Sequence, residues 1–162
     1  MRETFRLLGA IAVAAALLHA PGALEAQAQA QSPTKQIKLT ERHVEGFIAA
    51  QKKMSTAKAE AELESIAREH GFAGLDEIDD VEANIVLLMS AIDPATRAFS
   101  EPPILIKRRI DEVTTDKSMP DAERKEVLRE LTAALSSARP IQFPDNVELV
   151  RKYYDRLHAA LE

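Results

Sequence analysis

Residues 75–92 read LDEIDDVEANIVLLMSAI, and this stretch decides the fold class. Its apolar residues recur every three or four positions, the spacing that places side chains on one face of an α-helix. Asp93-Pro94 ends the pattern, because a proline disfavours helical backbone in the residue before it. Val86 and Leu87 widen the apolar arc, so we expect this segment to be the most buried helix of the protein.

Start and stop signals for two further helices lie on the amino-terminal side of this segment. Thr40 is a good N-cap for the first helix, and Leu39 and Val44 are spaced to contact each other across the cap. Gly71 supplies the left-handed position that ends the second helix, and Phe72 is the apolar residue expected to cover that end.

On the carboxyl-terminal side the spacing predicts three more helices and no sheet. They are expected to start at Pro102-Pro103, near Pro120, and after the proline-containing stretch 140–144. The predicted inward faces are Ile106, Ile110 and Val113, then Val127, Leu128, Leu131 and Leu135, and finally Val147, Val150, Tyr154, Leu157 and Leu161. We therefore predict an all-α fold, a compact bundle of five or six helices, with residues 39–162 as a single helical domain.

Residues 1–30 have the order of a secretory signal peptide. Arg2 and Arg6 precede an apolar run over residues 7–18, which as a helix is roughly 18 Å long and therefore shorter than the ~30 Å hydrocarbon core of a membrane. We expect a periplasmic or secreted protein without a stable membrane anchor after cleavage.

Small residues around position 28 predict where the signal peptide is removed. Cleavage is expected after Ala28 or Ala30, which satisfies the small-residue rule. Residues 31–38 are rich in Gln, Ser, Pro and Thr, and we predict a flexible leader there.

Charge and cysteine content exclude several classes of protein. The net charge is −5, which argues against a nucleic-acid partner because such binding relies on basic side chains that displace counterions. The chain has no cysteine, so disulfides, thiol catalysis and thiolate metal sites are excluded.

No residue pattern supports an enzyme, a cofactor or a metal site. A nucleophile elbow and a phosphate-binding glycine loop are both missing from the sequence. His43, His70 and His158 lack the four-residue spacing that places two metal ligands on one helix face. The acidic group Asp76–Glu82 lies at the start of a helix, where the helix dipole favours carboxylates, so we expect capping rather than calcium binding.

Two surfaces are candidates for binding another protein. The first is aromatic: Tyr153, which we expect to be more exposed than its neighbour Tyr154, together with Phe143 on the preceding loop. The second is the basic run Lys107-Arg108-Arg109, which could receive an acidic partner or remain a solvated helix face.

Several short stretches carry a resemblance to known proteins: His70-Gly71-Phe72, residues 78–85, Ile141-Gln142-Phe143-Pro144 and Lys152-Tyr153-Tyr154-Asp155. With them the chain resembles small exported helical proteins of Gram-negative bacteria that have no assigned activity. Leu39-Thr40 before a long helix is also similar to the Leu-Thr-x-x-Gln motif of Spy and CpxP-type periplasmic chaperones, with His43 at the glutamine position. These resemblances imply no catalytic residue.

Taken together, these features predict a non-catalytic accessory or protein-binding protein, in the manner of a chaperone, whose partner is another envelope protein or an unfolded chain. The alternative is a small-ligand or metal-binding helical bundle, with a pocket under the connector formed by residues 94–103.

Overall fold

A computed structural model describes residues 34–162, and the signal peptide prediction for residues 1–30 lies outside them. The described residues form six helices: α1 Glu41–Met54, α2 Glu60–Glu69, α3 Leu75–Ser90, α4 Pro102–Thr115, α5 Asp121–Ser137 and α6 Asp145–Leu161. Apart from one isolated bridge between Ile92 and Phe99, this part of the chain has no strand pairing. The all-α prediction is confirmed. Within residues 34–162, no helix is both long enough and apolar enough to cross a membrane.

Four of the helices, α1, α2, α3 and α6, build the hydrophobic core. α1 packs on each of the other three, and α3 also packs on α2 and α6. The largest fully enclosed core side chains are Val44, Phe47, Ile78, Val81, Ile85, Leu88, Val150 and Leu157. α6 buries six residues and α3 five, but only four of the 16 residues of α3 are exposed, against eight of the 17 in α6. α3 therefore has the smallest exposed share of the six helices, as predicted.

Local sequence signals position the ends of α1 and α2 as predicted. The side chain of Thr40 accepts a hydrogen bond from the His43 amide at 3.2 Å, which caps α1. Gly71 has a φ of +92°, and the amides of Gly71 and Phe72 donate to the carbonyls of Arg68 and Ala67. This is a Schellman ending, and Phe72 is buried over it.

The α4–α5 hairpin, residues 102–137, stands apart from this core. Among the helices of the described region, α4 and α5 pack only on each other. Val113 is the one buried residue of α4, and α5 has none. The predicted inward faces of α4 and α5 therefore meet within the hairpin and do not reach the core.

The structure describes the last residues of the predicted leader and shows their contacts. Residues 35–39, which we call the strap, lie outside the helices and are hydrogen-bonded to α3 and α6. Two buried asparagine side chains form hydrogen bonds with the strap backbone, so these backbone groups do not need water as a partner.

Candidate functional site

The basic run Lys107-Arg108-Arg109 lies on α4, and all three side chains are exposed. Arg109 forms an ion pair with Glu112 at 3.1 Å. The pKa of Asp93 is lowered by hydrogen bonds from Thr96, with a smaller contribution from the charge of Arg108. The run is therefore a solvated face with local ion pairing, and it remains accessible to an acidic partner.

The hairpin also carries exposed and half-buried apolar surface. Ile104 is 60% exposed, and Leu161 at the end of α6 is the other large hydrophobic residue that is exposed in the described region. Lys107 and Arg108 follow Ile104 at three and four positions, so the three side chains share one face of α4. The half-buried apolar residues of the hairpin are Leu105, Ile106, Ile110, Val127, Leu128, Leu131 and Leu135.

The expectation that Tyr153 is an exposed ring is wrong. Tyr153 is only 6% exposed, and its hydroxyl donates a hydrogen bond to Glu45 of α1 at 3.0 Å. This hydrogen bond, together with burial, raises the pKa of Tyr153. The physical reason is that α6 packs on α1 and on α3, so two adjacent positions, Tyr153 and Tyr154, both face protein.

Phe143, the second member of the aromatic pair, is half-buried in the loop before α6. Its carbonyl accepts a hydrogen bond from the Asn146 amide at 3.0 Å, which helps to start that helix. With Tyr153 buried and Phe143 partly covered, the predicted aromatic contact surface is not available in this conformation.

Asn84 on α3 and Asn146 on α6 form a backbone-binding site that sequence reasoning missed. Each is 2% exposed. The Asn84 amide accepts from the Ile37 N–H at 3.1 Å and donates to the Lys35 carbonyl at 2.9 Å. The Asn146 amide accepts from the Leu39 N–H at 2.9 Å and donates to the Ile37 carbonyl at 2.7 Å. The only sequence signal is an asparagine on the apolar face of a predicted helix, where an unpaired amide would be unfavourable.

Side chains of the strap make further contacts on both sides. Lys35 forms an ion pair with Asp80 of α3. The Gln36 side chain donates to the Pro140 carbonyl at 3.0 Å and accepts from the Gln142 amide at 2.8 Å. The strap thus connects α3 with the loop that precedes α6.

The acidic group Asp76–Glu82 is partly explained by capping, as predicted. Glu77 accepts a hydrogen bond from the Ala73 amide at 2.5 Å, just before α3 begins. Glu64 of α2 accepts from the Leu75 amide at 3.0 Å, in the first turn of α3. Within residues 34–162, no three His, Asp or Glu side chains gather in a way that would hold a metal ion.

Two histidines lie beside the Schellman ending of α2. The ring of His43 stacks on Phe72 with the ring centroids 6.5 Å apart. His43 Nδ1 and His70 Nε2 are buried atoms without a hydrogen-bond partner. His43 Nε2 lies 3.8 Å from Glu77 Oε1, so this histidine faces a carboxylate on one side only.

A shallow groove lies beside the connector 94–103, where the sequence predicted a pocket. Its volume is about 200 Å³, which is below the 300–1,000 Å³ that is typical of small-molecule sites. It is lined by Phe99, Glu101, Ile141, Pro144, Val147, Glu148 and Arg151. Arg151 is held by Glu148 at 2.5 Å and by the Arg97 carbonyl at 3.0 Å, so it is not free to bind an anionic ligand.

Comparison of the chain with protein-family models, with curated proteins and with solved structures finds no match. What the protein does must therefore be inferred from its own residues and their geometry.

Proposed function

We propose that this is a non-catalytic protein-binding protein of the cell envelope and that the α4–α5 hairpin is its binding arm. One observation carries the proposal: the hairpin packs on no other helix of the described region, and the contacts between its two helices leave most of its large apolar side chains only half-buried. A helix pair in a globular domain is normally covered on its apolar side by a third element.

The chemistry of the hairpin favours a polypeptide as the partner. Apolar surface gains roughly 25 cal/mol for each Å² removed from water, and contiguous exposed apolar surface marks interaction sites. Lys107 and Arg108 beside Ile104 add a positive potential, which accelerates the approach of acidic segments. An unfolded chain offers both exposed apolar side chains and acidic segments, so binding of the chaperone type is our first expectation.

The binding test compares two variants with matched chemistry. Ile104→Ser removes exposed apolar surface from the hairpin, whereas Leu161→Ser removes it from the end of α6. With reduced, denatured lysozyme as the client, we expect Ile104→Ser to weaken binding about fivefold, which corresponds to about 1 kcal/mol of lost apolar contact. Leu161→Ser should bind like the parent chain. Equal binding by all three proteins would refute the hairpin as the binding arm.

Salt separates apolar from electrostatic binding through the same hairpin. Replacing Lys107, Arg108 and Arg109 by alanine should weaken client binding at 0.1 M salt but not at 1 M, because the screening length falls from about 10 Å to about 3 Å. If binding by the parent disappears at 1 M salt, the basic run alone carries it and the apolar contribution is absent.

Location in the envelope has its own test. The chain purified from an envelope extract is expected to begin at Gln29 or Gln31, after removal of the signal peptide. N-terminal sequencing decides this, and material that retains Met1 in the membrane fraction would contradict export.

The alternative, a small-ligand or metal-binding bundle, is supported only by the groove beside the connector. A thermal-shift series with metals, haem and envelope metabolites tests it. A saturable rise in melting temperature with one of these compounds, lost on replacing Phe99 by alanine, would favour the alternative over protein binding.

A further inference from the structure

We propose that the strap site, formed by Asn84, Asn146 and Asp80, binds an extended segment of another polypeptide, and that the strap is its exchangeable internal occupant. This site lies on α3 and α6 and does not involve the α4–α5 hairpin, so it is a second binding site, separate from the function proposed above.

The hydrogen-bond pattern of the strap is that of one strand held by a neighbouring parallel strand. Asn84 binds the carbonyl of Lys35 and the amide of Ile37, and Asn146 binds the carbonyl of Ile37 and the amide of Leu39. In a parallel pair, every second residue of the neighbouring strand binds the carbonyl before and the amide after one strand residue in this way. Two side-chain amides therefore make the hydrogen bonds that the backbone of a neighbouring strand would make. Binding of this kind is similar to β-augmentation, in which an extended peptide adds to the edge of a sheet.

Because these four bonds reach only the backbone, any residue other than proline at positions 37 and 39 can make them. The preference of the site for one sequence over another comes from three side chains of the strap. Lys35 pairs with Asp80, Ile37 packs against the core, and Leu39 is buried to 4% exposure. The site therefore fits an extended segment with a basic residue followed by apolar residues two and four positions later.

Exchange is feasible because the strap is held mainly by hydrogen bonds, including two that Gln36 makes to the loop before α6, and buries little side-chain surface. Leu39 is its only fully buried side chain, while Lys35 and Lys38 are exposed. Segments with few buried contacts open locally without unfolding the rest of the protein. The protein's own strap still competes well with a free peptide for the site, because its effective concentration there is roughly in the millimolar range.

The first experiment needs no substitution. In the parent chain, hydrogen exchange at the Ile37 and Leu39 amides should be at least tenfold faster than at Ile85 and Val150 in the core. Both strap amides are hydrogen-bonded, so fast exchange would report opening of the strap. Exchange as slow as that of the core amides would mean that the strap opens only on global unfolding, and would overturn the proposal.

The second experiment frees the strap while the site stays intact. The freed-strap variant is the full chain with both Lys35→Glu and Ile37→Pro. The glutamate repels Asp80, and the proline removes the amide that binds Asn84. The probe is a fluorescein-labelled peptide with the sequence of residues 33–40, PTKQIKLT. We expect one peptide to bind per freed-strap chain, at least tenfold more tightly than to the parent, whose site is occupied.

Controls identify the contacts that hold the peptide. The same peptide carrying Ile37→Pro, and the freed-strap chain carrying Asn84→Ala, should each bind at least tenfold more weakly. An unrelated peptide with the same order of basic and apolar residues should bind within tenfold of the strap peptide, whereas its scrambled version should not. A freed-strap chain that stays helical but binds no peptide, or that loses its helicity, would overturn the proposal.

A mixing experiment distinguishes a foreign segment from a second copy of this chain. The parent supplies a complete strap and the freed-strap variant supplies an open site. If the mixture forms a heterodimer by light scattering while each chain alone is monomeric, the occupant is the strap of a second copy, and the foreign-segment proposal is wrong. A mixture that stays monomeric, with peptide binding as above, supports the proposal.

Discussion

Asn84, Asn146 and Tyr153 carry polar groups that are buried in the described part of the chain, and each has a hydrogen-bond partner distant in sequence. At the level of single residues, hydropathy predicts such side chains to be at the surface, because burying an unpaired amide or hydroxyl is unfavourable. Burial becomes favourable only when the partner arrives through the fold. For Tyr153, helical spacing added to this expectation: it assigns Tyr154 to the packing face of α6 and so predicts Tyr153 to be the more exposed ring. The asparagines were not singled out.

Asn146→Ala should destabilise the protein by about 1–3 kcal/mol, because it leaves the Leu39 amide and the Ile37 carbonyl without partners in a buried site. Urea unfolding followed by circular dichroism measures the change. Gln142→Ala is the control, since its exposed side chain should contribute less than about 0.5 kcal/mol. Equal effects of the two substitutions would show that the hydrogen bonds of Asn146 to the strap add no stability.

Glu82→Gln should stabilise the protein at neutral pH. Burial raises the pKa of Glu82 and the charge of Asp79 raises it further, while a hydrogen bond from Gln51 opposes them. A carboxyl whose pKa is higher in the folded state disfavours folding when ionised, and this penalty is lost as pH falls through the folded pKa towards about 4.3.

Measurement of unfolding in urea between pH 7 and pH 4 tests the sign of this effect. The glutamine variant should have the higher midpoint at pH 7, and the two midpoints should converge near pH 4. A glutamine variant that is less stable than the parent at pH 7 would mean that the ionised carboxylate makes a favourable contact.

At the level of elements, the apolar spacing predicts where the helices lie in the sequence, but it does not predict which helices pack on each other. The predicted starts at Pro102 and near Pro120 agree with α4 and α5, because proline and capping preferences act within a few residues. The apolar faces of these two helices were also recognised. Their spacing contains no information about whether a face meets the core or only the adjacent helix.

Leu131→Ala in α5 should therefore destabilise the protein by less than about 2 kcal/mol, because the side chain is only half-buried. Leu88→Ala is the matched substitution in α3, where the leucine is 2% exposed, and it should cost about 2–5 kcal/mol. Denaturant unfolding compares them. A loss at Leu131 as large as that at Leu88 would show that α5 is covered in solution, by the core or by a second chain.

At the level of the whole molecule, the four-helix core and the α4–α5 hairpin differ in how much apolar surface they bury. The segments that flank the hairpin are joined by a hydrogen bond from the Ile141 amide to the Glu101 carboxylate at 2.9 Å. Apart from this hydrogen bond, the stability of the hairpin depends on contacts between its two helices. A helix pair alone is only marginally stable.

We expect native-state hydrogen exchange to divide the chain into two levels of protection. Amides of α5 should open with a lower free energy than amides of α3, because local opening exposes less buried surface. Mass spectrometry of exchanged peptides resolves the two regions. Protection of α5 equal to that of α3 would show one cooperative unit and would argue against a hairpin that is available to a client.

By itself, the sequence determined the all-α class, the positions of the helix ends and the caps at Thr40 and Gly71, because these depend on interactions within one or two helical turns. Only the tertiary structure decided that α4 and α5 leave the core, that Tyr153 is buried and that residues 35–39 are held as a strap. Each of these depends on partners more than forty residues away in the chain or on the absence of a covering helix. Helical periodicity describes one face of one helix, so it carries no information about which distant segment will cover that face.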